Sequence, residues 1–547
     1  MHLPGGVPTS HADTYARDLL PPAADWPLFD YSAPFLGALP DRLNAAAALI
    51  DAAVSAGYGG KPAFIYEGAV WTYAQLRDRA DRIARVLVED MGLVAGNRVL
   101  LRSGNSPMLA ACWLAVLKAG GICVTTMPLL RARELAYIVE KARIRHALCE
   151  VSLAEEVELA RGQRPELDRV AYFTPLGAGS HAEARLDGAA AGKPAGFPAH
   201  ATAADDIALI SFTSGTTGQP KAAAHFHRDI LAVSECWPRV YPVAHDEVVC
   251  GTSSFAFAYG VASLLICPLR HRATVVLTPR PAPDLILDAM ARHRVTSLYA
   301  VPTAFNALLP ELAGHDLGAL RQCSSAGEHL RPALWERWRD ATGVAIVNGL
   351  GMTEMLAHFL SESLTVERVG STGRALPGYT ASVLDDEDRP LPPGHRGRLA
   401  VRGPTGCRYL GDPDRQRAFV RQGWNVTGDI VEQDADGRFW YAERADDLIV
   451  SAGYNISAQE VEDVLATHPR VVECAVVGVP DPDRGSIVRA CVVLDDPRDG
   501  HPEMARQLQD FVKATIAPYK YPRDIVFMDS LPRTPTGKLQ RFRLRQG

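Results

Sequence analysis

The chain has 547 residues, of which 47% are hydrophobic and 22% charged, and its formal net charge at pH 7 is −6. This length exceeds what one hydrophobic core can organise, so we expect two or more domains with an ordinary globular composition. The slightly acidic balance, with a sequence pI near 6.3, gives no electrostatic reason to expect nucleic acid or an anionic membrane as a partner. The sequence has no basic-then-apolar leader, no apolar run of bilayer length and no C-x-x-C pair among its ten cysteines. These features predict a cytoplasmic protein with reduced thiols.

Strand-like and helix-like segments alternate along most of the chain. Residues 1–40 are rich in Pro, Ala and Asp and predict an irregular arm, and residues 177–205 predict a surface connection. Outside these two segments, the alternation of strands and helices up to about residue 309 predicts a mostly parallel sheet covered by helices. The predicted strands are 62–66, 99–101, 122–126, 146–149, 207–212 and 297–300, and the predicted helices are 73–89, 108–119, 131–141, 222–233, 284–293 and 303–309.

The C-terminal third has a different texture. Short strands and turns over residues 370–441 indicate an antiparallel, twisted region. Ser457 and Glu460 form a capping-box pattern for a helix to about Thr467, which opens a separate small domain. We therefore predict an α/β fold, with a large N-terminal domain of parallel α/β sheets plus a small β-barrel-like subdomain, and a small α+β C-terminal domain. The predicted boundaries are 1–40 for the arm, 41–443 for the N-terminal domain and 444–547 for the C-terminal domain, with strands at 471–479, 487–494 and 525–528 and a helix at 502–516.

The segment from Thr213 to Lys221, T-S-G-T-T-G-Q-P-K, lies between a predicted strand and a predicted helix. Its glycines allow several backbone N–H groups to face one anion, and its hydroxyls and ammonium group add donors. We interpret it as a polyphosphate site. It is not the common P-loop, because Ala222 stands where a Mg²⁺-binding Ser or Thr is needed. This difference disfavours a phosphate-transferring kinase.

Three further motifs carry side chains that suit a nucleotide, a metal ion and negative charge near the phosphates. The motif N-G-L-G-M-T-E ends in Thr353 and Glu354, a hydroxyl and a carboxylate fit for a phosphate oxygen and Mg²⁺. The motif W-N-V-T-G-D ends in Asp429, a carboxylate that can accept both ribose hydroxyls. The motif P-R-T-P-T-G-K-L holds Lys538 on a loop, from which its ammonium group can stabilise charge on a carboxylate and an α-phosphate.

Together these motifs resemble the adenylate-forming superfamily, which includes acyl- and aryl-CoA ligases, peptide-synthetase adenylation domains and luciferases. The resemblance extends from about residue 40 to residue 545. It implies that ATP and Mg²⁺ activate an acid as its acyl-adenylate and that coenzyme A then takes the acyl group. It also implies ATP binding by Thr213, Ser214, Gly215, Thr216, Thr217, Gly218, Lys221, Ala326, Gly327, Glu328, Asn348, Gly349, Leu350, Asp429 and Arg444.

The same resemblance implies roles for the catalytic and moving parts. Lys538 is the adenylation catalyst, Glu354 binds the metal and Thr353 contacts the α-phosphate. Asp446 matches the hinge about which a mobile C-terminal domain swings after adenylation. The swing presents Ser451, Ala452 and Gly453 to coenzyme A. Two departures from the family are Leu350, where an aromatic residue is usual, and Asn455, where many members have arginine.

The stretch S-S-F-A-F-A-Y-G at 253–260 occupies the position of the acyl pocket in that family. Aromatic residues between Ala and Gly can form a flat slot for a ring, although alternating aromatics in a strand are more often core. With T-E-M-L at 353–356 and residues 127–135, the stretch resembles benzoate- and 2-aminobenzoate-CoA ligases. Those ligases often carry histidine directly after Met-Leu, whereas Ala357 intervenes here, and a lone histidine is more often a core residue. The implied acid-binding residues are Phe257, Ala258, Tyr259, Gly260, Gly351 and His358.

We expect a ligase that joins an aromatic carboxylic acid to coenzyme A at the expense of ATP, with these three small molecules as its partners and a homodimer left open. Three alternatives stay open from the sequence. They are an adenylating enzyme that loads a carrier protein, an aliphatic acyl-CoA ligase, and a nucleotide-binding regulatory protein without catalysis. The joint presence of Lys538, Glu354 and Asp429 argues against the last of these.

Overall fold

The computed structural model describes residues 7–37, 39–177, 185–213, 220–328, 330, 332–366, 368–444, 448–532 and 539–545. Within these ranges the side chains of Glu443 and Arg444 are not described. The predicted site residues Ser214, Gly215, Thr216, Thr217, Gly218, Asp446 and Lys538 lie outside the described residues.

Two large sheets form the body of the chain, and their parallel strands confirm the predicted α/β class. The six-stranded sheet has the order β6-β5-β3-β4-β7-β8, and the nine-stranded sheet has the order β15-β14-β13-β12-β11-β9-β10-β1-β2. These strands are β1 (Pro62–Tyr66), β2 (Ala69–Thr72), β3 (Arg98–Arg102), β4 (Ile122–Thr126), β5 (His146–Glu150), β6 (Arg169–Phe173), β7 (Ile207–Thr213), β8 (Lys221–Phe226), β9 (Val248–Gly251), β10 (Thr274–Leu277), β11 (Ser297–Ala300), β12 (Gln322–Ser325), β13 (Ile346–Met352), β14 (Ala357–Ser361) and β15 (Arg374–Ala375).

Helices connect the parallel strands and cover both sheets. In chain order they are α1 (Tyr15–Asp18), α2 (Tyr73–Arg85), α3 (Pro107–Lys118), α4 (Ala132–Ala142), α5 (Ala154–Gln163), α6 (Arg185–Ala191), α7 (His227–Cys236), α8 (Ala258–Val261), α9 (Cys267–His271), α10 (Pro283–Arg292), α11 (Pro302–Leu308), α12 (Pro332–Thr342), α13 (Pro413–Phe419), α14 (Ala458–Leu465), α15 (Pro502–Thr515) and α16 (Arg541–Leu544).

Helix α3 lies between the two sheets, where it contacts β3 and β4 of one sheet and β1 of the other. Every one of its residues is buried, as expected for a helix that is apolar on all sides. Its first turn is capped by Ser106, whose side chain accepts a hydrogen bond from the backbone N–H of Leu109 at 3.1 Å. At its other end the buried ammonium of Lys118 pairs with Asp51 at 2.8 Å and with Asp81. The two sheets therefore share one core around this helix.

The predicted helix at 222–233 is wrong in its first half. Residues Lys221–Phe226 form β8, which pairs antiparallel with β7, and α7 begins only at His227. Alanine favours a helix by intrinsic propensity, but Ala222 and Ala224 are buried here and exchange backbone hydrogen bonds with the segment 408–410 at 2.9 Å. Tertiary burial of small side chains has overridden the propensity. The predicted phosphate loop thus joins two strands, and Thr213 lies opposite Lys221.

The predicted surface connection at 177–205 is also partly wrong, because it contains α6. Leu186 and Ala190, one helical turn apart, are fully buried. The Gly- and Ala-rich composition concealed this short apolar stripe.

The predicted antiparallel region is confirmed as a five-stranded sheet. Its strands are β16 (Thr380–Leu384), β17 (Arg396–Arg402), β18 (Val420–Arg421), β19 (Trp424–Gln433) and β20 (Phe439–Arg444). In the pairing of β19 with β20, Asp429 lies directly opposite Arg444.

The C-terminal part has its own hydrophobic core, which includes Val476, Val488 and Leu508. The side chain of Ser457 accepts a hydrogen bond from the N–H of Glu460 at 3.3 Å, which confirms the predicted start of α14. The strands of this part are β21 (Leu448–Ser451), β22 (Tyr454–Ser457), β23 (Val471–Asp481), β24 (Gly485–Leu494) and β25 (Asp524–Phe527).

Across the described ranges, every helix is too short or too polar to cross a membrane.

Candidate active site

A cavity of about 980 Å³ lies at the carboxyl ends of the parallel strands in the nine-stranded sheet. Gly251 of β9, Leu277 of β10, Val301 after β11 and Ala326 after β12 line it in turn. This edge is where open α/β sheets bind their ligands. The turns that join β21 to β22 and β23 to β24 form the facing wall. Both parts of the chain therefore contribute to one cavity.

The cavity brings together most of the predicted site residues that the structure describes. Gly260 and Ser451 are buried and are not among the lining residues, and a side chain at Gly260 would collide with the backbone of Ser254. The predicted residues that line the cavity are Thr213, Lys221, Phe257, Ala258, Tyr259, Ala326, Gly327, Glu328, Asn348, Gly349, Leu350, Gly351, Thr353, Glu354, His358, Asp429, Ala452 and Gly453.

The carboxylate of Glu354 is held by Tyr409, a residue that no motif had indicated. The hydroxyl of Tyr409 donates a hydrogen bond to Oε1 of Glu354, which is only 5% exposed. Burial, reinforced by the neighbouring carboxylate, raises the pKa of Tyr409, so its hydroxyl stays protonated and remains a donor. Nζ of Lys221 lies 5.3 Å from the centroid of the same ring. These three residues connect the end of the predicted phosphate loop to the predicted metal ligand.

Glu354 suits a magnesium ion that is shared with a nucleotide. Within the described residues there is no cluster of three or more His, Cys, Asp or Glu side chains that could hold a metal by itself. Mg²⁺ in nucleotide sites is bound by one or two carboxylates together with phosphate oxygens and water. One buried, oriented carboxylate beside the Thr353 hydroxyl fits that mode of binding.

The turn at 326–328, whose residues the resemblance assigns to ATP binding, is fixed by a contact with Thr303. The backbone N–H and hydroxyl of Thr303 donate to the Glu328 carboxylate at 3.0 and 2.9 Å. Gly453 of the facing turn lies close to this carboxylate, since a Cβ at Gly453 would be 3.6 Å from Oε1 of Glu328 and 3.1 Å from Val301. The positive φ of +81° at Gly453 also favours glycine. The C-terminal part thus closes directly over this turn.

An aromatic cluster borders the cavity at Tyr259 and His358. The His358 ring stacks on Tyr259 with 5.2 Å between centroids, and Trp237 meets the same imidazole edge-on at 4.8 Å. The Tyr259 hydroxyl donates to the carbonyl of Ser324 at 2.8 Å, so its ring is fixed. Gly349 makes room for the imidazole, because a Cβ there would lie 2.9 Å from Nδ1. A planar ring is well matched to such walls.

His358 is both a buried residue and a residue of the cavity lining. It is 3% exposed, and the described residues supply no hydrogen-bond partner to either ring nitrogen. Burial lowers the pKa of His358 to about 3, so the imidazole is neutral at neutral pH. The pairing of β14 with β13 shifts by one residue after Leu350, so that Gly351 lies opposite His358. Such a bulge changes the direction of nearby side chains.

Two further contacts shape the cavity and were not anticipated. The side-chain amide of Asn105 donates to the carbonyl of Ser253 at 2.8 Å and accepts from the N–H of Phe255 at 2.9 Å. Tyr454 meets Phe257 edge-on, with 6.0 Å between centroids. Asn105 follows β3 at the carboxyl edge of a parallel sheet, a position that could have suggested it. No sequence signal indicated Tyr454.

Residues 51–409 match the family model of the AMP-binding enzymes, and residues 460–538 match the model of the AMP-binding enzyme C-terminal domain. The chain therefore belongs to the AMP-binding enzyme family, as the resemblance of its motifs to adenylate-forming enzymes predicted.

Two curated relatives match over nearly the full length of the chain. The benzoate–CoA ligase of Thauera aromatica is 33% identical over 513 residues, which cover 93% of this chain and 96% of that protein. The 4-hydroxybenzoate–CoA/benzoate–CoA ligase of Rhodopseudomonas palustris is 34% identical and covers 92% of this chain and 94% of its own length.

Solved structures share the fold. The anthranilate CoA ligase AuaEII in complex with anthranoyl-AMP has a TM-score of 0.72 and 31% identity, over 93% of this chain and 98% of that one. The amide bond synthetase McbA from Marinactinospora thermotolerans has a TM-score of 0.82 and 29% identity, over 92% and 99% of the two chains.

Proposed function

We propose that the protein is an AMP-forming ligase that joins an aromatic carboxylic acid to coenzyme A. In the first half-reaction the carboxylate oxygen attacks the α-phosphorus of ATP, which gives the acyl-adenylate and pyrophosphate. In the second half-reaction the thiol sulfur of coenzyme A, with loss of its proton, attacks the acyl carbonyl and AMP leaves. ATP and coenzyme A are abundant in the cytoplasm, which supports a cytoplasmic location.

The observation that carries the proposal is the composition of the cavity. One cavity is lined by three kinds of residue. They are nucleotide-motif residues such as Glu354 and Asp429, the aromatic side chains of Tyr259 and His358, and the turn that contains Gly453. Its volume of about 980 Å³ lies at the upper end of the range for small-molecule sites. One cavity can thus bring an acid, a nucleotide and a thiol together.

Five side chains of this chain serve the nucleotide or its metal ion in the proposed first step. Asp429, 7% exposed, accepts the ribose hydroxyls, and Arg444, opposite it on β20, supports the same sugar. Thr353 and Lys221 hold phosphate oxygens. Mg²⁺ held by Glu354 supplies neutralisation of phosphate charge when it is bound. Positioning and charge neutralisation are the main contributions that such chemistry needs.

We also propose roles for the remaining motif residues. Lys538 stabilises the charge that develops between the acid and the α-phosphate, and Ser214, Gly215, Thr216, Thr217 and Gly218 cradle the phosphates. Asp446 is the hinge, and we propose 1–40, 41–443 and 444–547 as the arm and the two domains.

The aromatic cluster supports a ring-bearing acid. Tyr259 and His358 line the cavity with Trp237 packed behind them, and an aryl group beside these rings gains offset or edge-to-face contacts. The named activities of relatives agree with this proposal, because they include benzoate, 4-hydroxybenzoate and 3-hydroxybenzoate CoA ligation. An aliphatic chain gains no stacking energy from these walls.

A second acceptor has a specific observation in its favour. The amide bond synthetase has the same fold, with a TM-score of 0.82 against this chain. An amine attacking the acyl-adenylate would release AMP and give an amide. A carrier-protein thiol is the third acceptor to compare.

The test is a panel of benzoates, hydroxybenzoates, aminobenzoates and medium-chain fatty acids in a pyrophosphate-release assay with ATP and Mg²⁺. Each active acid is then supplied with free coenzyme A, a primary amine or a phosphopantetheinylated carrier protein, and the products are identified by mass spectrometry. We expect benzoates to trigger release and free coenzyme A to yield the aroyl thioester. Release with fatty acids alone, or an amide as the sole product, would overturn the proposed substrate or acceptor.

A further inference from the structure

A buried lysine joins the C-terminal part of the chain to the N-terminal part. Lys520, 4% exposed, follows α15, and its ammonium donates to Oε1 of Glu460 at 2.6 Å and to Oε1 of Glu134. Glu460 lies on α14 in the same part as Lys520, whereas Glu134 lies on α4 of the N-terminal part. Burial alone lowers the pKa of Lys520, but its neighbours Tyr519, Glu134 and Glu460 raise it above its usual value. The ammonium group therefore stays charged.

Both carboxylate oxygens of Glu134 accept hydrogen bonds at this contact. Its Oε2 accepts hydrogen bonds from the N–H of Arg131 at 2.8 Å, at the N-cap of its own helix, and from the N–H of Ala517 at 3.0 Å, across the contact. The carboxylate is 6% exposed. It thus receives two donors from the C-terminal part, and a buried charge that loses its partners is strongly unfavourable.

The same orientation of the two parts places the turn at 451–454 on the cavity. Tyr519, the neighbour of Lys520, stacks on Tyr454 with 4.3 Å between ring centroids, and Tyr454 in turn meets Phe257 of the acid stretch. Ala452 and Gly453 line the cavity beside Val301. The lysine contact and the cavity turn are therefore connected through one pair of stacked rings.

We propose that Glu134, Lys520 and Glu460 form a latch that holds the C-terminal part where the turn at 451–454 closes the cavity for thiol transfer. This inference rests on the proposed two half-reactions. None of the three residues is among those that line the cavity, so we describe them as positioning residues.

The arrangement of the latch makes it reversible. Glu460 stays with Lys520 when the two parts separate, so the ammonium keeps one carboxylate partner. Only Glu134 then loses its charged partner, and its carboxylate must be solvated by water. A latch with a single shared carboxylate would leave a bare ammonium group in the C-terminal part, and opening would be less favourable.

The test compares Glu134→Gln with Glu140→Gln, a control on the same helix whose exposed carboxylate pairs with Arg164. Glutamine keeps the acceptor for the Arg131 N–H but removes the charge that faces Lys520. Adenylation is measured by ATP–pyrophosphate exchange, and transfer is measured with presynthesised benzoyl-adenylate and coenzyme A. We expect Glu134→Gln to slow transfer about tenfold or more while ATP–pyrophosphate exchange stays within about twofold. The reason is that the substitution removes a charge-assisted hydrogen bond that forms only in the latched state. Equal losses in both half-reactions, or none in either, would overturn the latch.

Hydrogen–deuterium exchange supplies a readout that does not need activity. In Glu134→Gln, peptides that cover 448–457 should exchange faster than in wild type, although they are remote from the substitution, while Glu140→Gln should leave them unchanged. Unchanged exchange in Glu134→Gln would contradict the latch. If Glu134→Gln does not fold, Lys520→Met carries the same two expectations. Failure of the wild-type protein to form any acyl-adenylate would instead reject the proposed function. The hydrogen–deuterium exchange result would still decide the latch.

Discussion

The hydroxyl of Tyr409 and the carboxylate of Glu354 are 55 residues apart in the chain and meet in the cavity. For single residues, the sequence indicated candidate site residues where they are neighbours in the chain, as Thr353 and Glu354 are. It was uninformative where a side chain is fixed by a residue from another element, as Glu354 is by Tyr409. No local spacing encodes such a pair, because it depends on how the segment between β17 and α13, which contains Tyr409 and bridges to Ala223 of β8, packs against the turn between β13 and β14.

The Tyr409–Glu354 hydrogen bond gives the first prediction. Tyr409→Phe removes the donor, so the carboxylate loses its fixed orientation toward the proposed metal. A hydrogen bond to a charged group contributes about 1.5–3 kcal/mol, and we expect adenylation to slow roughly tenfold or more. The half-saturating concentration of Mg²⁺ should rise, which a titration of ATP–pyrophosphate exchange measures. Tyr73→Phe is the control, because that buried hydroxyl donates to the carbonyl of Ala273, outside the cavity; equal effects of the two substitutions would refute the role of Tyr409.

The buried imidazole of His358 gives the second prediction. His358→Phe keeps a flat ring against Tyr259 but removes both nitrogens, which lack partners among the described residues. A hydroxyl or amino group on the acid can supply such a partner. We expect kcat/KM for hydroxy- or aminobenzoates to fall about tenfold relative to benzoate, since an unsatisfied buried group costs about 1–3 kcal/mol. A uniform loss across the panel would mean that His358 only packs the core.

At the scale of elements, the strands and helices with strong patterns were predictable. Ile122–Thr126 and Pro62–Tyr66 have the predicted bounds, because apolar runs between glycine or proline leave little choice. The alanines at 222–224 were not predictable as a strand, because the neighbours that bury them come from residues 408–410. The one-residue bulge beside Gly351 is likewise a property of paired strands, which a single segment does not reveal.

The glycines of β13 give a prediction about this paired element. A Cβ at Gly351 would lie 2.5 Å from the carbonyl oxygen of Ala357, so backbone must move, whereas a Cβ at Gly349 meets the side chain of His358. We expect Gly351→Ala to lower the free energy of unfolding by about 1–3 kcal/mol or more, and Gly349→Ala by less. Gly162→Ala in α5 meets nothing within 4 Å and should be neutral or stabilising. Urea unfolding of the three variants gives the comparison, and the reverse order for the two β13 variants would contradict this account.

At the scale of the whole molecule, the sequence predicted the class of fold and the protein family. It did not predict how the two parts meet. Lys520 and Glu134 are 386 residues apart, and each alone looks like a solvated surface charge. Their burial follows from the docking of the C-terminal part, which depends on the shapes of two finished surfaces.

Buried histidines give a prediction for the acid stability of the whole chain. Burial lowers the pKa of His225 to about 4 and the pKa of His227 to about 3, both below the ordinary value of 6.5. A lowered folded-state pKa favours the neutral ring, so this stability is complete above pH 6.5 and is lost as pH falls toward 4. Each such group removes about 1.4 kcal/mol per pH unit in that window. Nδ1 of His227 also accepts from the N–H of Ala45 at 3.1 Å, which a protonated ring could not do.

The measurement is the urea midpoint between pH 7.5 and 4.5. We expect His227→Asn, whose amide oxygen can still accept a hydrogen bond, to lose less stability over this range than wild type. The exposed His245→Asn is the control and should follow the wild-type curve. Parallel curves for His227→Asn and wild type would contradict a neutral buried imidazole.

We propose that one cavity carries out two half-reactions and that Lys538, from the C-terminal part, serves only the first. The direct measurement is Lys538→Ala assayed separately for ATP–pyrophosphate exchange and for thioester formation from presynthesised benzoyl-adenylate. We expect a loss of at least ~100-fold in ATP–pyrophosphate exchange, as for removal of a comparable charge-stabilising donor, with thioester formation largely spared. Equal losses in the two half-reactions would contradict it.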